Sequence, residues 1–179
     1  MRFKVFGVTV RLDFSFLLVI YLSMLMQFDS VLYILLFSSL HEMGHIVILL
    51  LEGEKPDEIS ISYYGIGLQH KAALIMIQEV LFLSGGVMMN LVFYFFGICP
   101  EINLALALIN ALPLYPLDGG RIVSLITDAL LPAKVSRMVL TAITVSFLLL
   151  LLICAICFTN VSLFLIVLYI IFYSMNHLR

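Results

Sequence analysis

The chain has 179 residues, 64% of them hydrophobic and 11% charged, with a mean hydropathy of +1.21. A soluble domain of this length needs far more surface charge, so the composition excludes one and implies a single membrane-embedded domain over residues 1–179. The formal net charge of −2 and the absence of a basic stripe exclude nucleic acid as a partner and leave the lipid bilayer as the first one.

In chain order, "KVFGVTVRL" (4–12) is rich in β-branched and aromatic residues and predicts a strand. The apolar run that follows lacks a small-residue cleavage site after "LLVIYLSMLMQF" and is expected to stay in the protein as a membrane helix over 14–28. A second helix is predicted over 30–51. "EISISYYGIGLQ" (58–69) reads as further strand, with Gly65 and Gly67 marking a bend or hairpin turn. Helices are then predicted over 72–97, 102–117, 137–157 and 161–176. The fourth is short and carries Pro113 and Pro116, which suits a broken helix facing protein or a cavity. Cys154 and Cys157 lie in an apolar helix with no group nearby to stabilise a thiolate, and read as packing residues. The expected fold is thus an all-α polytopic membrane protein, with six transmembrane helices and a small cytoplasmic β-sheet or hairpin. With six spans, the nine Lys and Arg residues all fall on one side, and Asp29 and Glu101 fall on the other. The positive-inside rule then places both termini in the cytoplasm.

"SSLHEMGHIVILLLEG" (38–53) places costly polar groups inside the second helix. "HEMGH" fits H-E-x-x-H, for which the chance expectation in a chain of this composition is about 0.003 matches. On a helix, His41 and His45 share one face and can bind one zinc ion. Glu42, beside the first of them, is placed to act as general base toward water at the metal. A catalytic zinc takes a third protein ligand. The candidates are His70, Glu79, Asp118, Asp128 and His177. His70 and His177 read as solvated surface, and Asp128 lies in a polar-spaced segment. Asp118 stands out in "NALPLYPLDGGR", after Pro113 and Pro116 and before two glycines, where the chain can swing a carboxylate toward a neighbouring helix. The competing reading makes Asp118 the N-cap of a segment starting at Gly119.

Three motifs, "HEMGH", "SGGVMMN" (84–90) and "NALPLYPLDGG" (110–120), resemble in order and separation those of the site-2 proteases, zinc metalloproteases that cut within membranes. "FKVFGVTVRLDFSF" is similar to that family's opening strand and first helix. The resemblance implies His41, His45 and Asp118 as ligands of one Zn2+ and Glu42 as catalytic base. It also implies that Asn110 and Asn90 hold the substrate or the polar network of the site. For Asn90 the alternative is a helix–helix hydrogen bond. The compact form without a PDZ domain resembles the sporulation branch, of the stage IV sporulation protein FB type. That likeness implies a bacterial inner or forespore membrane, a membrane-associated protein substrate such as pro-sigma-K, and an inhibitory membrane partner. Many members of that branch carry a nucleotide-sensing CBS domain. The chain ends at Arg179, so none is expected. Two rival functions are a catalytically inactive membrane chaperone on the same scaffold and a zinc-binding or transport protein. The intact Glu42 argues against the first, and the clustering of ligands at one depth argues against the second.

Overall fold

Branched and aromatic residues dominate both segments read as strands, and each segment forms a hairpin rather than one strand. In the computed structural model, which describes residues 2–5, 8–25, 29–62, 65–69, 74–157 and 168, β1 (Arg2–Val5) pairs antiparallel with β2 (Val8–Leu12). β3 (Glu58–Ser62) pairs antiparallel with β4 (Gly65–Gln69), Ile59 lying opposite Leu68. The hairpin that Gly65 and Gly67 were expected to mark is present, with its connection just before Gly65. Both lie within β4, opposite Ser62 and Ser60. β2 and β3 run parallel, Val10 opposite Ile59, and close a sheet of order β1-β2-β3-β4. A parallel pair needs a long crossover. Here it is made by α1 (Phe14–Leu25) and α2 (Asp29–Leu51), with β3 packed on α1 and β4 on α2.

At about 1.5 Å per residue the 23 residues of α2 reach roughly 35 Å, enough for a bilayer core. The helix stops at Gly53, whose φ of 81° is the left-handed conformation that ends helices. α3 (Met76–Phe95) starts with the Gln78 side chain accepting the Ile75 N–H at 3.0 Å and stops before Gly97, at φ 71°. α2 and α3 form the main packed pair and contribute the core residues Phe37, Leu49, Phe82 and Leu83. They touch where Gly44 meets Gly85. A Cβ built on Gly85 would stand 2.7 Å from the Gly44 carbonyl oxygen and 2.8 Å from Ile48 Cγ1. Without a strong hydrophobic drive between helices in lipid, such close backbone approach is a main source of packing energy.

The predicted helix 102–117 is instead α4 (Pro100–Ala111) followed by a turn. Proline restrains the residue before it from helical backbone, so Pro113 halts the helix at Ala111. A helix not expected from the sequence follows, α5 (Asp118–Leu130), and then α6 (Ala133–Cys157). In α5, polar Asp118, Arg121, Ser124, Thr127 and Asp128 recur at spacings of three and four, and apolar residues fill the other face. Its thirteen residues are too few to span. Ser30–Leu51, Met76–Phe95 and Ala133–Cys157 are the described helices long and apolar enough to cross a membrane, and the predicted helix 161–176 lies outside the described residues apart from 168. The chain forms two compact units, Met1–Leu108 and Ile109–Arg179.

Candidate metal centre

The first unit carries the H-E-x-x-H motif on α2, two turns from its C-terminal end. Spacing of four on a helix puts His41 and His45 on one face. Both are buried, with ring centroids 5.0 Å apart and planes at 83°, so the rings converge by their edges rather than stack. Each ring is held at Nδ1 by α3. His45 Nδ1 lies 2.7 Å from the Phe82 carbonyl oxygen. A carbonyl only accepts, so this nitrogen carries a proton, and in the neutral ring the lone pair that can bind a metal is then on Nε2. His41 Nδ1 lies 2.6 Å from Asn90 Oδ1. Metal-bound histidines are generally held in this way at the second ring nitrogen.

The two Nε2 atoms face α3 at Gly86. A Cβ there would collide with His41 Nε2 and Cε1 and with His45 Nε2. Glycine at 86 therefore lets both imidazoles pack against α3. One donor atom from each of His41, Glu42 and His45 lies within 4.8 Å of the other two. Glu42 is half-buried beside the histidines. Two imidazoles and a carboxylate brought this close together suit zinc.

Phe82, Gly86 and Asn90 were not assigned to ring support by sequence reasoning. Their positions, four apart along α3, are the signal that could have found them, because that spacing makes one face. Asn90 is fully buried and reaches His41 rather than open space.

Asp118 and Asn110 belong to the second unit. Asp118 is buried and is the first residue of α5, whose N-cap is Leu117, so the capping alternative does not describe it. Nor do Gly119 and Gly120 provide a free turn. Both are helical, and side chains there would strike the backbone of Ala111, Leu112 and Leu114. Small residues let the turn after α4 fold tightly onto the start of α5 and hold Asp118 in place. Asn110 is half-buried near the end of α4. Of the other ligand candidates, Glu79 sits in the first turn of α3. Asp128 accepts hydrogen bonds from Ser136 at 2.5 Å and Ser124 at 3.3 Å. His70 and His177 lie outside the described residues.

Residues 64–154 match the profile of Peptidase family M50. The fold is similar to that of the Site-2 Protease from Methanocaldococcus jannaschii, with a TM-score of 0.69 and 22% sequence identity over 100% of this chain and 95% of that one. Comparison with curated proteins finds no match.

Proposed function

The chain belongs to peptidase family M50 and is a metalloprotease, and on that premise we propose that it uses zinc to cleave a peptide bond of a membrane-associated protein. The observation that carries this reading is the clustering of one donor atom each from His41, Glu42 and His45 within 4.8 Å of one another. His41 and His45 would hold the zinc, with Asp118 as the third ligand on the strength of the motif it belongs to. Zinc in such a site supplies Lewis acidity toward a carbonyl oxygen and toward water. Glu42 takes a proton from the attacking water and delivers it to the leaving amine nitrogen.

A peptide bond within a helix is shielded, so the substrate must be extended when it is cut. β4 is an edge strand and packs on α2, the helix that carries His41, Glu42 and His45. An extended substrate added to that edge would run alongside the catalytic helix. Asn110 would hold the substrate backbone. The proposed topology has six spans and both termini in the cytoplasm, supported by the one-sided distribution of the basic residues. An inhibitory membrane partner, and pro-sigma-K as substrate in a bacterial inner or forespore membrane, are proposed on the likeness of the compact six-helix form to the sporulation branch. The chaperone and transporter readings are not favoured, because neither uses a carboxylate at the position of Glu42.

The test is cleavage of a membrane-protein substrate by the purified protein in detergent, before and after removal of metal by a chelator. Loss on chelation and recovery with zinc are expected. Cleavage indifferent to the chelator would end the zinc reading. A reporter fused after Arg179 should behave as cytoplasmic, and an external signal would end the six-span topology.

A further inference from the structure

The histidine at the start of the motif is held by a longer chain of groups than its partner. Asn90 Nδ2 donates to Asn103 Oδ1 at 2.9 Å, and Asn103 Nδ2 donates to the carbonyl oxygens of Ile98 at 2.8 Å and Cys99 at 3.3 Å. Both asparagines are completely buried. The chain therefore runs from the turn between α3 and α4, through one side chain of each helix, to His41 Nδ1. In that turn Gly97 (φ 71°) and Cys99 (φ 41°) are left-handed.

Chemistry gives this chain one direction. The Ile98 and Cys99 carbonyls can only accept, so Asn103 must face them with its NH2 group and present Oδ1 to Asn90. That oxygen can only accept, so Asn90 must present Nδ2 to it and turn Oδ1 toward His41. His41 Nδ1 must then carry a proton, which in the neutral ring leaves the lone pair on Nε2. Flipping either amide would set like groups against each other at side chains that are themselves buried. A hydrogen bond that only joined two helices would work in either sense.

We infer that Asn90 and Asn103 are positioning residues for the metal centre, a relay by which the α3–α4 turn sets the tautomer and the orientation of His41. Asn103 touches no metal ligand and acts through Asn90. The inference rests on zinc binding at His41 and His45, but the tautomer it requires exists without metal. Mutation of groups that orient metal-bound histidines generally lowers affinity by about 10–100-fold.

The experiment compares zinc affinity, by competition with a chromogenic chelator in detergent, for wild type, Asn103→Leu, Asn90→Leu and Asn90→Asp. The thermal stability of each metal-free protein is measured alongside. Asn103→Leu and Asn90→Leu should bind zinc about 10–100-fold more weakly while folded. Asn90→Asp keeps an acceptor for His41 Nδ1 and should stay within about threefold of wild type, as carboxylates commonly orient metal-bound histidines. Equal affinities for Asn90→Leu and Asn90→Asp, or wild-type affinity in folded Asn103→Leu, would overturn the relay. If the leucine variants do not fold, nitrogen-15 NMR of histidine-labelled, metal-free wild type decides. His41 protonated at Nδ1 supports the relay, and His41 protonated at Nε2 overturns it. Wild type that binds no zinc but shows the Nδ1–H form would defeat the metalloprotease reading and leave the relay standing.

Discussion

The two units use buried polar groups in opposite ways. In the first, His41 is held by a residue 49 positions away and His45 by one 37 positions away. In the second, Ser136 is bonded to Asp128 and Thr127, eight and nine positions away, across the junction of α5 and α6. The short pairs form as soon as two consecutive helices meet and do no more than join them. The long pairs exist only once α2 and α3 have crossed at Gly44 and Gly85. A site whose side chains must hold fixed orientations needs supports from a second element, because one helix cannot hold its own side chains from outside.

The contrast can be broken at several points. Glu42→Gln should lower cleavage by about 10²–10⁴-fold, the usual contribution of a general acid–base group. Zinc content should be retained, and turnover near wild type would remove Glu42 from the chemistry. Asp118→Asn tests whether the second unit contributes to the metal centre at all. As a ligand, its loss should weaken zinc binding by about tenfold or more, since a neutral amide is a poor ligand for zinc. A zinc-replete, active variant would pass the third ligand to another residue, with Glu79 first. Gly86→Ala puts a methyl group into the space between the two Nε2 atoms. Overpacking of this kind typically costs about 1–3 kcal/mol, and here it should also push the histidines apart. Zinc affinity and thermal unfolding would both report it, and an unchanged affinity would show that the space is not used. Ser136→Ala should have the smallest effect. It removes one buried hydrogen-bonding group and should cost about 1 kcal/mol of stability, seen in denaturation, with zinc affinity unaltered. A fall in zinc affinity there would mean that the α5–α6 junction matters to the metal and would erase the contrast.

The membrane class, the strand-forming segments and the one-face placement of His41 and His45 were legible in the sequence, because each depends on composition or on spacing along a single element. Three features were not. α5 was read as a connection, since thirteen residues with a regular polar stripe look like a loop when the search is for spans. The roles of Gly119 and Gly120 were misread because glycine signals freedom in sequence, whereas here it signals lack of room. Asn103 gave no signal, for a lone asparagine in an apolar helix shows nothing of the partners it will meet.

The sequence by itself determined that two imidazoles and a carboxylate would lie together, since helical geometry ties residues 41, 42 and 45 to one another whatever the rest of the chain does. Only the tertiary structure decided which nitrogen of each ring is bonded to the neighbouring helix. That choice is made by the Phe82 carbonyl and by Asn90 on the neighbouring helix, at 2.7 and 2.6 Å, and a distance between two helices is written in no single stretch of sequence.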